Sequence, residues 1–118
     1  MQLRVLSDEQ SVLRLEVVGR IVEGSYLPDT DPLDSLLDGR SYQRSVLLSL
    51  ANTDFIDSSG LALLLVWHKR FCEAGGKLVI HSVPSHVMDT LKVMRMELVL
   101  NLAKDEPAAM ELVQGADA

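Results

Sequence analysis

Apolar and polar residues alternate clearly in the segment "VLRLEVV", which puts Leu13, Leu15 and Val17 on one face. A period of two residues is typical of a β-strand with one buried face. A shorter alternation precedes the polar turn "SDEQ" near the N-terminus. Residues 2–18 are therefore predicted to form a β-hairpin that ends at Gly19.

Beyond the hairpin, short apolar runs alternate with longer segments of helical spacing. Runs such as "VLLSL" and "KLVIH" are typical of strands covered on both faces. The predicted strands are 46–50, 77–81 and 98–102, and residues 51–57 are predicted to form a loop. A short helix is predicted between Asp31-Pro32 and Gly39, and longer helices at 58–74, 84–96 and 107–113. Asp105 is predicted to cap the last of these helices. This order predicts an α/β fold, a mixed sheet of four to five strands with about four helices. We expect one domain over residues 1–114 and a flexible tail over 115–118.

The helical spacing also predicts which side chains face the core. Those predicted to point inward are Leu61, Leu64, Leu65, His68, Phe71 and Cys72 in the central helix, and Val87, Leu91 and Met94 in the next one. Leu63, Val66 and Trp67 then lie on another face of the central helix. Either a neighbouring helix of the same domain covers them, or they form an exposed patch for a partner.

The sequence Asp57-Ser58-Ser59-Gly60 stands between a predicted strand and the central helix. One Asp or Ser is enough to cap a helix N-terminus. Gly60 works against the first helical turn, unless another backbone or a ligand must approach closely there. In open α/β sheets, functional groups collect in loops after the carboxyl ends of strands, which is where this turn lies.

A phosphate on a serine of this turn is chemically reasonable. Unpaired N–H groups and the positive end of the helix dipole stabilise an anion at a helix N-terminus. The added charge of about −1.5 to −2 would lie beside Asp57 and near Asp54, and a partner docked there would meet repulsion and a desolvation cost.

Composition limits the class of protein and its partners. The chain has 118 residues, 47% of them hydrophobic, and a net charge of −6. An acidic chain is a poor partner for nucleic acid or an anionic membrane. The single cysteine, Cys72, suits a reducing compartment, and the first residues do not resemble a signal peptide. No apolar run is long enough to span a bilayer. We therefore expect a cytoplasmic protein.

The sequence does not predict an enzyme. "DFIDSSG" lacks the first glycine of the Gly-x-Ser-x-Gly nucleophile motif, and there is no glycine-rich phosphate loop. The early loop "GRIV" offers no carboxylates for the Mg²⁺ site of a phospho-aspartate receiver. The three histidines and Cys72 do not share metal-ligand spacing. We expect no cofactor.

From Val46 to Val113 the sequence resembles the STAS domain of bacterial anti-sigma-factor antagonists. The most specific element is the Asp-Ser-Ser-Gly turn after "DFI", followed by Leu61 and an apolar helix that ends in Gly-Gly. The resemblance implies that Ser58, directly after the aspartate, is phosphorylated by an anti-sigma factor that is also a serine kinase. The unmodified antagonist binds this kinase and frees a sigma factor; phosphorylation breaks the complex and a phosphatase restores it.

We expect a set of partner-binding residues around Ser58. They are Asp54, Asp57, Ser59, Gly60, Leu63, Trp67 and Glu23. The family's acidic residue after the second strand falls on Val22 here, and Glu23 lies one position later. This departure leaves a second hypothesis open: a STAS scaffold or ligand-binding module without phosphorylation, in a signalling or lipid-transport complex. We expect a monomer or weak dimer.

Overall fold

A computed structural model describes residues 1–9, 12–22, 31–37 and 42–115 of the chain. Its strands are β1 (Gln2–Asp8), β2 (Val12–Ile21), β3 (Ser45–Ser49), β4 (Thr53–Ile56), β5 (Lys77–His81) and β6 (Asn101–Ala103). Its helices are α1 (Pro32–Leu37), α2 (Ser58–Ala74), α3 (Ser85–Val93) and α4 (Glu106–Gly115), with a 3₁₀ turn at Met96–Leu98. The predicted α/β fold with a mixed sheet is confirmed.

The sheet has the strand order β1-β2-β3-β5-β6, and β4 pairs with β2 outside this path. Only the β1–β2 pair is antiparallel among the described pairs, as the predicted hairpin requires. The hairpin is longer than predicted, because β2 continues through Gly19 to Ile21. Gly19 has a φ of +96° and sits at an irregularity in the pairing with β4. The glycine therefore bends the strand instead of ending it.

Strand β4 was predicted to be a loop. Its four residues do not form a long apolar run, so the local pattern does not indicate a strand. They form one because they pair with the C-terminal end of β2. Thr53 is buried there, and its hydroxyl donates a hydrogen bond to the carbonyl oxygen of Val17 at 3.0 Å. Helix α2 begins two residues after the end of this strand.

Each of the three consecutive apolar residues of β3 is buried, because both faces of the sheet are covered. Val46 and Leu48 join the larger core cluster, which also contains buried residues of β2, α1, α2 and α3. Leu47 points to the opposite face, where it packs with Val79 and with Ala109 of α4. The predicted strand with two buried faces is confirmed.

Helix α2 begins and ends where the sequence predicts, and it exits through Gly75 with a φ of +84°. Cys72, however, is exposed, so its predicted place on the core face is wrong. Its Sγ lies 3.6 Å from Nε2 of His68. The cause is an error of one position in the phase of the helix: the buried stripe contains Gly60, Leu64, Trp67 and Phe71.

The C-terminal elements follow the predicted order with shifted ends. The last strand is shorter and later than the predicted 98–102, and the 3₁₀ turn takes part of that segment. Asp105 caps α4 as predicted, since its carboxylate accepts a hydrogen bond from the N–H of Ala108 at 3.0 Å. In α3, Val87 and Leu91 are buried, but Met94 is half exposed, so its predicted inward position is wrong.

Candidate functional site

The Asp57-Ser58-Ser59-Gly60 turn lies at the end of β4, where α2 begins. Asp57 is the N-cap residue of α2, and its carboxylate accepts a hydrogen bond from the N–H of Gly60 at 3.0 Å. Its carbonyl oxygen accepts the first helical hydrogen bond, from Leu61. Its own N–H donates to the carbonyl oxygen of Ile21 at 3.3 Å, which ties the turn to the end of β2. One aspartate therefore holds the turn in place.

Because Asp57 makes the cap, the turn does not need the hydroxyl of Ser58 for this purpose. Ser58 is the first residue of α2, and it is exposed; Ser59 is half-buried. Asp54, also exposed, lies in β4, and its carbonyl oxygen accepts a hydrogen bond from Nε2 of His86 at 2.5 Å. Asp57 and the two serines thus lie together at the start of α2, and Asp54 is an exposed residue of the preceding strand.

Gly60 is buried, which argues against its predicted contact with a partner. A β-carbon at this position would lie 2.3 Å from the carbonyl oxygen of Ile21 and 2.5 Å from Cγ1 of Ile56. A glycine in the first turn of a helix is expected where another backbone or a ligand approaches closely. The backbone of β2 meets that requirement inside the domain.

The predicted exposed patch is also wrong for Leu63 and Trp67. Leu63 is buried, and Trp67 is fully buried in the larger core cluster. The indole Nε1–H of Trp67 donates a hydrogen bond to Oδ1 of Asp31, directly before α1, at 2.8 Å. Coverage by the same domain, the other alternative from the sequence, is therefore correct for these two residues. Val66 alone of the three is exposed, at 42%.

A groove between α2 and α3 opens beside Ser58. Its volume is about 300 Å³, and it is lined by Ser58, Leu61, Asp89, Thr90, Val93 and Met94. The apolar side chains form most of its wall, and Asp89 and Ser58 add polar groups. None of the groove residues that follow α2 was predicted as a site residue, and helical spacing placed Met94 in the core. The adjacent pair Val93-Met94, after the buried Leu91, was the available signal.

Glu23, one of the predicted partner-binding residues, lies outside the described residues. Within the described ranges, no group of three or more His, Cys, Asp and Glu side chains is arranged to hold a metal ion. In the same part of the chain, the structure contains no helix with the length and apolar character needed to cross a bilayer.

A sequence model of the family described as "Mlab, STAS domain" matches residues 6–102. The chain belongs to this family. The STAS assignment inferred from the Asp-Ser-Ser-Gly turn is therefore confirmed. No curated protein sequence gives a significant match.

Solved structures of STAS proteins share the fold over nearly the whole chain. The anti-sigma factor antagonist SpoIIAA in its unphosphorylated form has a TM-score of 0.71 at 14% identity, with 97% of each chain covered. An anti-sigma-factor antagonist (STAS) domain protein from Planctomyces limnophilus has a TM-score of 0.71 at 19% identity, with 98% of each chain covered. An anti-sigma factor antagonist from Mycobacterium paratuberculosis has a TM-score of 0.74 at 15% identity, with 96% of this chain and 95% of that chain covered.

Proposed function

We propose that this STAS domain is an anti-sigma-factor antagonist switched by phosphorylation of Ser58. In its unmodified form it binds an anti-sigma factor that is also a serine kinase, and so releases a sigma factor in the cytoplasm. Phosphorylation of Ser58 ends the binding, and a phosphatase restores it. Asp54, Asp57 and Ser59 form the surface around the acceptor.

One observation carries the proposal: the exposed hydroxyl of Ser58 lies at the edge of an apolar groove, while the neighbouring Asp57 caps the helix. A kinase can reach the exposed acceptor without opening the core. Since the cap does not depend on Ser58, a phosphate can be added without removing the hydrogen bond that begins α2. The positive end of the α2 dipole also favours an anion there.

The phosphate would act on binding mainly through desolvation. It brings a charge of about −1.5 to −2 to a groove lined by Leu61, Val93 and Met94 and by the carboxylate of Asp89. A partner that fills the groove must strip water from this anion, which costs several kcal/mol. An exposed ion pair with a basic partner residue returns only about 0–1 kcal/mol. The cost exceeds the return, so we expect affinity to fall by about a hundredfold or more.

The test uses the protein and the binding partner recovered with it from the native host. After incubation with ATP and Mg²⁺, phosphopeptide mapping should place the modification on Ser58. Ser58→Ala should abolish it, and the neighbouring Ser59→Ala serves as the matched control that retains it. Ser58→Asp should weaken the complex with the partner. Modification of another residue, or equal binding by the Ala and Asp variants, contradicts the proposal.

A second candidate is an unmodified STAS scaffold or ligand-binding module in a larger signalling or lipid-transport assembly. The match to the family described as "Mlab, STAS domain" favours it. In cells, Ser58→Ala and Ser58→Asp would then both behave as the wild type. A change that is opposite in the two variants would instead favour the phosphorylation switch.

A further inference from the structure

Four large aliphatic side chains are exposed within seven residues at the end of α3. They are Val93 (80% exposed), Met94 (50%), Leu98 (73%) and Val99 (45%). Single exposed aliphatic residues are common on soluble proteins, but a local concentration marks an interaction surface. Val93 and Met94 also form one wall of the groove beside Ser58. The apolar surface is therefore continuous with the proposed partner site.

We propose that this surface, Val93, Met94 and the groove up to Leu61, binds an amphipathic helix of the partner that carries basic residues beside its aliphatic face. The inference rests on the proposed function, because it specifies what the unmodified domain recognises. Val93 and Met94 supply the apolar contact, and Ser58 lies at the margin of the groove.

The geometry of the groove favours a helix as its occupant. The groove runs between two helices, α2 and α3, and Leu61 of α2 faces the side of Val93 and Met94. An amphipathic helix places aliphatic residues at positions i, i+3 or i+4, and i+7 on one side, which fits a groove of this kind. Within the described residues, the strands that pair on one side only are β1, β6 and β4, and none of them lines the groove. An added β-strand is therefore not the mode of binding at this groove.

The charge of the groove favours basic residues on that helix. Asp89 lines the wall and forms no salt bridge with any residue that the structure describes. Asp57 directly precedes Ser58, and the whole chain carries a net charge of −6. A lysine or arginine beside the aliphatic anchor would pair with Asp89, whereas an acidic helix or an anionic lipid surface would be repelled.

The experiment selects binders from a phage-displayed library of random peptides of about 15 residues, roughly four helical turns. The target is the unphosphorylated protein. The enriched peptide is then synthesised and titrated by calorimetry against the protein and its variants. We expect a sequence with aliphatic residues at helical spacing and with Lys or Arg beside them.

The variants separate the apolar contact from the charge. Val93→Gln should weaken the peptide by about tenfold, the effect of withdrawing one buried aliphatic side chain. Asp89→Lys should weaken it severalfold. Leu112→Gln is the matched control. Leu112 is another exposed aliphatic residue, at 40%, but it lies on α4 and does not line the groove. It should bind as the wild type does.

Four outcomes overturn the inference. They are an absence of enriched peptides, an acidic consensus, an equal loss of affinity in Leu112→Gln and Val93→Gln, and binding of phosphatidylglycerol vesicles instead of peptide. The protein is unmodified throughout, so the result does not depend on whether Ser58 is phosphorylated. Failure of the phosphorylation test and failure of this one are therefore distinguishable.

Discussion

The carbonyl oxygen of Ile21, the last residue of β2, faces the α-carbon of Gly60 in the first turn of α2. A β-carbon on Gly60 would lie only 2.3 Å from this oxygen. The contact fixes the distance between the sheet and the start of the helix, and hence the position of Ser58 two residues earlier. The glycine serves the architecture of the site without contacting a partner.

Gly60→Ala should therefore lower the free energy of unfolding by about 2–3 kcal/mol, because the added methyl group meets a backbone atom that cannot rotate away. Urea denaturation measures the change. Gly75→Ala is the matched control: its φ of +84° disfavours alanine, but nothing lies within 4 Å of the new β-carbon. We expect a loss of about 1 kcal/mol there. An equal loss in both variants would contradict the role assigned to Ile21.

Trp67→Phe should destabilise the protein by about 2–4 kcal/mol. The indole is fully buried, and its Nε1–H donates to the carboxylate of Asp31 at 2.8 Å. Phenylalanine leaves a cavity and removes the donor. Val66→Ala, one position earlier and exposed, should change stability by less than about 0.5–1 kcal/mol. Thermal denaturation gives the midpoint of unfolding of each variant and of the wild type. A similar shift of the midpoint in both variants would argue that Trp67 is not part of the core.

Asp57→Asn and Asp57→Ala separate the helix cap from the charge. Asparagine keeps an oxygen that can accept from the N–H of Gly60, so we expect nearly wild-type stability. Alanine removes the acceptor and should cost about 0.5–2 kcal/mol. Urea denaturation of both variants provides the measurement. If asparagine is as harmful as alanine, the negative charge and not the hydrogen bond stabilises the turn.

His81 should make stability depend on pH. Burial lowers the pKa of His81 from its ordinary value of 6.5, although Glu106 and Asp105 act in the opposite direction. Its Nδ1 is hydrogen-bonded to the hydroxyl of Ser82 at 2.8 Å. Above about pH 6.5 the ring is neutral in both the folded and unfolded states, so no penalty arises. Below it, the unfolded state takes up a proton first, and stability falls.

The measurement compares the free energy of unfolding at about pH 7.5 and about pH 5.5 for the wild type and His81→Gln. The wild type should lose more stability over this interval than the variant, whose side chain does not titrate. An identical loss in the two proteins would mean that His81 does not couple folding to protonation.

Periodicity predicted most of the fold correctly, and its errors have physical causes. Alternation over β2 and the apolar run of β3 identify strands, because successive side chains of a strand point to opposite faces of the sheet and so leave a period of two, or a short apolar run where both faces are covered. Strand β4 was missed since its order comes from pairing with a distant part of β2. In α2, residues 60–67 are all apolar, so spacing alone could not select Trp67 over Cys72 for the core.

The amino-acid sequence by itself identified a STAS domain through its resemblance to that family. It also determined where the central helix begins and ends, and that an Asp-Ser-Ser-Gly turn starts that helix. The bounds of the helix depend on local patterns: helical period, a capping aspartate and glycines at the helix exit. Only the tertiary structure decided that Gly60 and Trp67 are buried, that Ser58 remains exposed, and that α3 provides the second wall of the groove. These properties depend on which distant elements pack together, and helical or strand spacing carries no information about that packing.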